Sequence, residues 1–175
     1  MDKVFQEALK HVLEFEGGYS DHEADSGGKT RYGITEKVAR KHGYEGDMKD
    51  FDVNRAKEIY YRAYWKEQNY HKIKDKHIAI EMFDQAVNMG PKTANKNLQK
   101  SYNILTKDNI AVDGIIGSQT LWAINNYKRP DYIFNMLNAY QARHYINLVE
   151  DDESQKVFIK GWIKRVVIDW DNYGI

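Results

Sequence analysis

Apolar residues recur at helical spacing through most of the chain. In residues 2–16 this pattern predicts an amphipathic helix, which Gly17 and Gly18 end because glycine readily adopts the left-handed cap conformation. The same period predicts further helices over residues 36–42, 53–67, 77–89, 92–105, 118–124, 130–149 and 154–171. Residues 19–35 differ, since small, polar and turn-forming residues predominate there. We expect a loop and a small β-hairpin attached to an otherwise helical body.

Residues suited to helix ends mark several of these boundaries. Thr35, Asp52 and Ser118 are predicted N-caps, because their side-chain oxygens can accept a hydrogen bond from the first turn. Pro130 is predicted to begin a helix, and Gly90-Pro91 to stop one. Residues 151–153 are predicted to be an exposed acidic junction between helices. The sequence contains no fixed-period repeat, and no low-complexity linker separates the two halves of the chain, which meet near Gly90-Pro91. The pattern predicts a mainly α protein whose two halves pack as one body.

Composition narrows the possible functions. The chain has 26 Lys plus Arg and 26 Asp plus Glu, which gives no electrostatic case for nucleic acid or for general attraction to an anionic surface. Cysteine is absent, which excludes disulfides, thiolate metal sites and cysteine nucleophiles. The histidines show no ligand spacing, so we predict no metal and no cofactor. Most of the 13 Tyr, 4 Trp and 6 Phe are expected in the core, with some available to stack on sugars.

No segment of the chain resembles a targeting or membrane-spanning sequence. The first residues lack an apolar core of signal-peptide length, and no later segment is apolar enough for a transmembrane helix. We therefore expect synthesis in the cytoplasm without a signal peptide and no stable membrane insertion. If the substrate lies in the periplasm or cell wall, another factor must release the protein there.

Glu16 is the first candidate for catalysis. It falls at the last turn of the first predicted helix, next to two glycines and the polar hairpin. Burial and the negative end of the helix dipole both disfavour a carboxylate, so both would raise its pKa. A general acid that protonates the leaving oxygen of a glycoside needs such a raised pKa. From position alone, however, a glutamate near a helix end is more often a solvated surface residue.

The second catalytic group is less well defined by the sequence. Asp25 lies nine residues after Glu16, across the predicted hairpin, and Thr30 follows five residues later. A carboxylate with a nearby hydroxyl can hold and polarise a water molecule. Asp21 and Glu23 are rival carboxylates, and position does not rank them. Asp25 before Ser-Gly-Gly is also typical of a turn, and Thr30 of a strand.

Several motifs resemble glycoside hydrolase family 108. These are EGGY at residues 16–19, DSGGKTRYGIT at 25–35, YRAYW at 61–65 and FDQAVNMG at 83–90. Members are bacterial and phage N-acetylmuramidases, sometimes labelled secretion activator proteins, with the catalytic glutamate in the EGGY motif. In the second half, VDGIIGSQT at 112–120 resembles a turn of peptidoglycan-binding helical domains. A helix–helix connection explains that turn as well as direct glycan binding does.

The resemblance implies a lysozyme-like helical fold, with a muramidase region at 1–90 and a peptidoglycan-binding-like region at 91–175. It implies hydrolysis of the MurNAc–GlcNAc β-1,4 bond, with Glu16 as the acid. Phage-type lysozymes, by looser analogy, pair a glutamate with an aspartate and a threonine, which suggests Asp25 and Thr30. The expected partner is the peptidoglycan glycan strand, and the expected state is a monomer exported by a holin or a secretion system. The expected substrate contacts are Tyr19, Tyr32, Tyr64, Trp65, Asp84 and Asn88.

Other functions and roles remain open at this point. Two alternatives to the muramidase are a non-catalytic peptidoglycan-binding or secretion-accessory protein and a lytic transglycosylase. A lytic transglycosylase can work with one glutamate. Asp84 and Asn88 lie one helical turn apart and are also suited to be buried hydrogen-bonding groups that fix their helix against the hairpin. Stereochemistry depends on carboxyl spacing, and the analogy with phage-type lysozymes favours inversion.

Overall fold

The described part of the chain is mainly helical, with a small antiparallel sheet after the first helix, as predicted. The computed structural model describes residues 2–15, 19–20 and 29–166. The helices are α1 (Lys3–Phe15), α2 (Glu36–Lys41), α3 (Val53–Ile59), α4 (Lys76–Met89), α5 (Pro91–Leu105), α6 (Ser118–Asn125), α7 (Pro130–Asp151) and α8 (Lys156–Val166). The strands are β1 (Tyr19–Ser20), β2 (Thr30–Arg31) and β3 (Ile34–Thr35), and short 3₁₀ turns cover Met48–Asp50, Tyr70–Lys72 and Glu153–Gln155. No helix within these ranges combines the length and apolar character needed to cross a bilayer.

Two of the three predicted N-caps are confirmed. Thr35 Oγ1 accepts a hydrogen bond from the Val38 amide at 3.3 Å, and Asp52 Oδ1 accepts one from the Asn54 amide at 2.6 Å. The Ser118 prediction is wrong, because Gly117 holds the N-cap position and Ser118 is already the first helical residue. No side chain therefore caps α6.

The predicted breaks are also confirmed. Gly90 has φ 83°, in the left-handed region that ends α4, and Pro91 then begins α5. Pro130 begins α7. The last predicted helix, over 154–171, is seen as α8, and its final residues lie outside the described ranges.

A π-helical segment, Tyr60–Lys66, continues α3 without a break. Its wider turn is seen in the hydrogen bond from the Glu67 amide to the Arg62 carbonyl, five residues back, at 2.9 Å. In an α-helix, two residues five apart point to different sides. The wider turn allows Tyr60 and Trp65 both to be buried, each at 1% exposure. The sequence pattern predicted a helix here but not this widening.

An aromatic cluster fixes α1 against α4 and the π-helical segment. The Phe83 ring lies 5.6 Å from Phe5, 5.7 Å from Tyr60 and 5.9 Å from Trp65, centroid to centroid, in edge or tilted contacts. Asp2 adds two polar ties: Oδ1 accepts from the Phe5 amide at 2.8 Å, and Oδ2 accepts from Trp65 Nε1 at 3.0 Å. The start and tilt of α1 are thereby set by packing against the rest of the first half.

Buried polar contacts join α4 to the second half of the chain. Arg165 of α8 donates to Asp84 Oδ1 at 2.9 Å, with 7% and 1% of the two side chains exposed. Gln141 of α7 donates to Asp84 Oδ2 at 2.9 Å. Gln85 donates to the Leu137 carbonyl at 2.8 Å. The two halves therefore pack as one body, as the absence of a linker predicted.

A second set of polar contacts joins the two halves near the N-terminal end of α5. Tyr70 Oη donates to Asn95 Oδ1 at 2.7 Å, and Asn95 Nδ2 donates to the Gly114 carbonyl at 3.0 Å. Asn69 Nδ2 donates to the Ile116 carbonyl at 2.9 Å. These amides satisfy buried carbonyls that would otherwise weaken the interface.

Glu81 is a buried carboxyl next to the Asp84–Arg165 pair. Its Oε1 accepts from Gln85 Nε2 at 2.8 Å, and its side chain is fully buried. Burial, with a smaller contribution from the Asp84 charge, raises the pKa of Glu81 to about 8, against the hydrogen bond from Gln85, which lowers it. Glu81 is therefore mainly protonated at neutral pH.

Replacing Arg165 should destabilise the fold strongly. Arg165→Met leaves the Asp84 carboxylate buried without its cation, and we expect a loss of about 3–5 kcal/mol in the free energy of unfolding. Adding Asp84→Asn to it should recover most of the loss. Urea denaturation measures both. The control is Arg129→Met, which breaks an exposed pair with Asp131 and should leave the free energy of unfolding nearly unchanged. Equal losses in Arg165→Met and Arg129→Met would contradict the assignment.

The stability of the protein should depend on pH through Glu81. The folded pKa, about 8, lies above the ordinary value of 4.5, so the folded state keeps a proton that the unfolded chain releases. Its contribution to stability therefore falls as pH rises from about 4.5 to about 8. Glu81→Gln should remove this part of the fall between pH 5 and pH 8 in urea denaturation. Glu58→Gln, at an exposed site, should retain it, and parallel pH profiles for Glu81→Gln and wild type would refute the role.

Candidate active site

The three strands that follow α1 form one antiparallel sheet with β2 in the centre. Ser20 pairs with Thr30 and Tyr19 with Arg31; Thr30 also pairs with Thr35 across to β3. β1, which follows α1, therefore lies directly beside the strand that contains Thr30. The sheet has one strand more than the hairpin that the sequence predicted.

Tyr32 and Gly33 form the two-residue turn between β2 and β3. Both have positive φ, 51° and 72°, which is the pattern of a type I′ hairpin turn. Glycine adopts this conformation without strain, whereas a tyrosine does so only where its surroundings hold it there. Tyr60 supplies that restraint, since its Oη donates to the Tyr32 carbonyl at 2.8 Å from the buried core. The tip of the sheet is thereby fixed to the aromatic cluster.

The two faces of the sheet have different environments. Residues paired across strands share a face, so Arg31 lies on the same face as Ile34, and Thr30 on the same face as Thr35. Ile34 is 1% exposed, which makes its face the one that packs on the core. Thr30, which is half-buried, therefore lies on the opposite face of the sheet from Ile34.

Tyr32 and Tyr64 are two of the predicted substrate contacts that are partly accessible. The Arg31 guanidinium lies over the Tyr32 ring at 5.3 Å. The Tyr64 ring contacts Tyr60 edge to face at 5.6 Å, and burial raises the pKa of the Tyr64 hydroxyl. That hydroxyl therefore keeps its proton at neutral pH and can donate to a sugar oxygen.

Trp65 and Asp84 lie in the interior instead. Trp65 is 1% exposed inside the aromatic cluster, and Asp84 is 0% exposed and bound to Arg165 and Gln141. This burial argues against the substrate contacts predicted for both side chains. The alternative interpretation of Asp84 as a buried hydrogen-bonding group is confirmed, but its side chain fixes α4 to α7 and α8, through Gln141 and Arg165, and not to the hairpin. Asn88 is half-buried and donates to the Asp84 carbonyl at 2.8 Å, and its proposed substrate contact stays a prediction.

The two predicted catalytic carboxylates, Glu16 and Asp25, lie outside the described residues, as do the rivals Asp21 and Glu23. The described structure ends α1 at Phe15 and resumes at Tyr19 in β1. Among the described residues, no group of three or more His, Asp or Glu side chains is arranged to hold a metal ion.

The turn at 113–117 is held by protein contacts. Asp113 Oδ1 accepts from Gln99 Nε2 and from the Ile115 amide, each at 2.8 Å. Gln99 Oε1 accepts from the Gly114 amide at 2.8 Å. Gly114 has φ 82°, and a Cβ there would lie 3.2 Å from the Lys92 carbonyl oxygen, so glycine is required. These contacts support the helix–helix connection, one of the two interpretations of this motif.

Sequence reasoning missed two residues that support the site. Tyr60 was assigned to the core, and its hydroxyl bond to the turn is a contact between residues 28 apart that no local pattern indicates. Asp2 was not singled out, although an acidic residue before an apolar period is a recognisable N-cap signal.

Comparison with known proteins gives a consistent result for both halves. Residues 9–90 match the family model of glycosyl hydrolase 108, and residues 93–167 match the model described as a predicted peptidoglycan domain. The structure of SagA from Brucella abortus is similar with a TM-score of 0.75 and 30% identity, over 93% of this chain and 88% of that chain. No curated protein matches the sequence.

The family-model match begins within α1 and ends at Gly90, so it includes the sheet, the type I′ turn and α4. The second match covers most of α5 and all of α6, α7 and α8. The similarity to the Brucella protein extends over both parts at once. The chain therefore belongs to glycosyl hydrolase family 108 and carries a peptidoglycan domain in its second half.

Proposed function

We propose that the protein is an N-acetylmuramidase that hydrolyses the β-1,4 bond between MurNAc and GlcNAc, with Glu16 as the general acid. The observation that carries the proposal is the family match over residues 9–90, which includes the EGGY motif of Glu16. Glu16 is the next residue in the chain after α1, and α1 is anchored by the Phe5–Phe83 contact and by Asp2. The peptidoglycan domain supports the choice of polymer.

The reaction needs one proton donor and one group that handles water. Glu16 would transfer its proton to the glycosidic oxygen as the bond to the anomeric carbon breaks, and the oxocarbenium-like centre is then attacked by water. We assign the orientation of this water to Asp25 and Thr30. Thr30 suits the role because it lies on the face of the sheet opposite the buried Ile34, in the strand paired with Ser20. As the water oxygen bonds to the anomeric carbon, the water keeps one proton in the new hydroxyl group and gives the other to the Asp25 carboxylate. Inversion is the expected stereochemistry.

The predicted sugar contacts divide by accessibility. Tyr32 at the turn and Tyr64 on the π-helical segment present partly exposed rings, whose hydroxyls and apolar faces both suit an N-acetylhexosamine. Tyr19 in β1 and Asn88 at the end of α4 remain candidates. We propose that the enzyme acts on the wall from the periplasmic side, after release by a holin or a secretion system.

Glu16→Gln should abolish clearing of purified cell walls, with a loss of on the order of a hundredfold or more, because the amide cannot supply the proton. Turbidity of a wall suspension measures the effect. The control is Glu7→Gln, an exposed change on α1 that removes a weak contact with Lys76 and should leave clearing unchanged. Clearing by Glu16→Gln at the wild-type rate would exclude the assignment.

The products of the same digest distinguish a muramidase from a lytic transglycosylase and from a non-catalytic binding protein. A muramidase releases reducing muramic ends, and inversion gives the α-anomer first. Anhydro-muramic ends would identify a lytic transglycosylase instead. Binding of walls without any release of ends would identify a peptidoglycan-binding or accessory protein, which the second family match would also suit.

Tyr32→Asn tests whether the Tyr32 ring binds substrate, because the change removes the ring and keeps the backbone conformation of the turn. Asparagine adopts the left-handed conformation readily, so the turn and the free energy of unfolding should be preserved. Loss of the ring should raise KM for soluble glycan fragments about tenfold with a smaller change in kcat. Tyr60→Phe is the comparison, since it keeps the Tyr32 ring but removes the bond to the turn carbonyl, and should cost about 1 kcal/mol of stability. An unchanged KM in Tyr32→Asn would remove Tyr32 from the sugar contacts.

A further inference from the structure

A surface cavity lies beside α3 in the first half of the chain, and the proposed catalytic mechanism uses none of its residues. It has a volume of about 130 Å³, and aromatic, apolar and charged side chains line it: Tyr44, Phe51, Arg55, Glu58, Ile59 and Arg62. A concave shape with apolar walls and a few polar groups is typical of a site for a small ligand. The cavity is therefore a candidate binding site in addition to the sheet.

The apolar wall of the cavity is fixed in place. Phe51 is 1% exposed and Ile59 is 7% exposed. The half-buried Tyr44 ring contacts the Phe51 ring edge to face at 4.9 Å, and Tyr44 Oη donates to the Asp47 carbonyl at 2.7 Å. This wall can therefore take up a methyl or methylene group without rearrangement.

Arg55 is the cation of the cavity that keeps its hydrogen-bond donors available. Its guanidinium lies over the Tyr44 ring, 5.6 Å from the centroid, which holds the charge beside the apolar wall. Among the described residues, no carboxylate lies within ion-pair distance of Arg55. Asp52, the nearest acidic residue before it on the chain, accepts from the Asn54 amide at 2.6 Å. A planar guanidinium with available donors can bind a carboxylate through two parallel hydrogen bonds.

The other charged groups at the cavity already have partners. Arg62 pairs with Glu58 at 2.6 Å. Arg40 lies over the same tyrosine ring as Arg55, at 5.7 Å, but it donates to two backbone carbonyls and to Glu36. His42 adds an exposed imidazole at the rim. A ligand with one carboxylate therefore finds one guanidinium that is not already paired.

The charges next to the cavity disfavour a polyanion. The segment 43–52 contains Glu45, Asp47, Asp50 and Asp52 against one lysine, Lys49. These carboxylates would repel a row of phosphates, and a nucleic acid or an anionic membrane would need an array of cations at this surface. The cavity instead fits a compact group that combines a carboxylate with a small apolar side chain.

The stem peptide that MurNAc carries has this chemistry, because it combines alanine methyl groups with free carboxylates. We propose that the cavity binds a stem peptide, in which Arg55 pairs with a peptide carboxylate and the apolar wall contacts the neighbouring methyl group. The proposal rests on the proposed function for its choice of polymer, and it adds peptide recognition to the first half of the chain. The cavity adjoins the catalytic region, because Ile59 directly precedes Tyr60, whose hydroxyl holds the tip of the sheet.

Calorimetric titration with a soluble disaccharide tetrapeptide, and with the same disaccharide lacking its peptide, tests the site in the Glu16→Gln background. Arg55→Gln should weaken binding of the peptide-bearing fragment about tenfold, because the amide cannot replace a charge-assisted pair. Binding of the bare disaccharide should not change. Lys57→Gln is the matched control, since it removes one positive charge from the other side of α3 and should affect neither ligand. Thermal unfolding checks that each variant is folded, as expected for a change at the exposed Arg55.

A change in the ligand provides the second arm of the test. A fragment whose peptide carboxylates are amidated should bind as weakly as the native fragment binds Arg55→Gln, and Arg55→Gln should not weaken it further. Equal affinity of the native fragment with and without Arg55→Gln, an equal loss in Lys57→Gln, or displacement of the fragment by inorganic phosphate at a similar concentration would each overturn the proposal.

The outcome for this site is distinguishable from that for the proposed function. If Glu16→Gln clears walls at the wild-type rate while Arg55→Gln loses affinity for the peptide-bearing fragment, the catalytic assignment fails and this site stands. Loss of clearing in Glu16→Gln together with unchanged affinity in Arg55→Gln removes this site alone.

Discussion

The burial of α4 from His77 to Ala86 is the constraint on which the rest of the structure depends. Every residue from His77 to Ala86 is buried, yet this stretch carries Glu81, Asp84 and Gln85. Buried polar groups need partners, and Asp84 and Gln85 find theirs in the second half of the chain: Arg165, Gln141 and the Leu137 carbonyl. Without α8, Asp84 would lose its ion pair with Arg165. The first half of the chain therefore depends on the second for its interior.

The same helix also determines where the catalytic region lies. Phe83, one residue before Asp84, packs against Phe5 of α1 and against the Tyr60 and Trp65 rings. Tyr60 in turn holds the sheet tip through the Tyr32 carbonyl. Two adjacent residues of α4 thus face different parts of the chain. Asp84 contacts the second half, and Phe83 contacts α1 and the rings beneath the candidate active site. A substitution in this interior should affect catalysis through the positions of α1 and the sheet, without contact with substrate.

The sequence predicted those features that depend on neighbouring residues. Helical periods, the Thr35 and Asp52 caps and the Gly90-Pro91 break are local signals, and the structure confirms them. Tertiary contacts explain the differences. The π-helical segment coincides with packing that buries both Tyr60 and Trp65.

The candidate site was predictable to the same extent. Motifs identified Glu16, Asp25 and Thr30 as candidates, whereas the burial of Trp65 and the ion pair between Asp84 and Arg165, 81 residues apart, follow from tertiary packing that no local pattern encodes.

Zero net charge limits how such a protein can recognise a wall polymer. With 26 basic and 26 acidic residues, the chain has no overall field to attract an anionic surface from a distance. Recognition must then come from short-range contacts, which depend on shape and stacking and are little affected by salt. Partly exposed tyrosines beside the sheet can supply contacts of that kind.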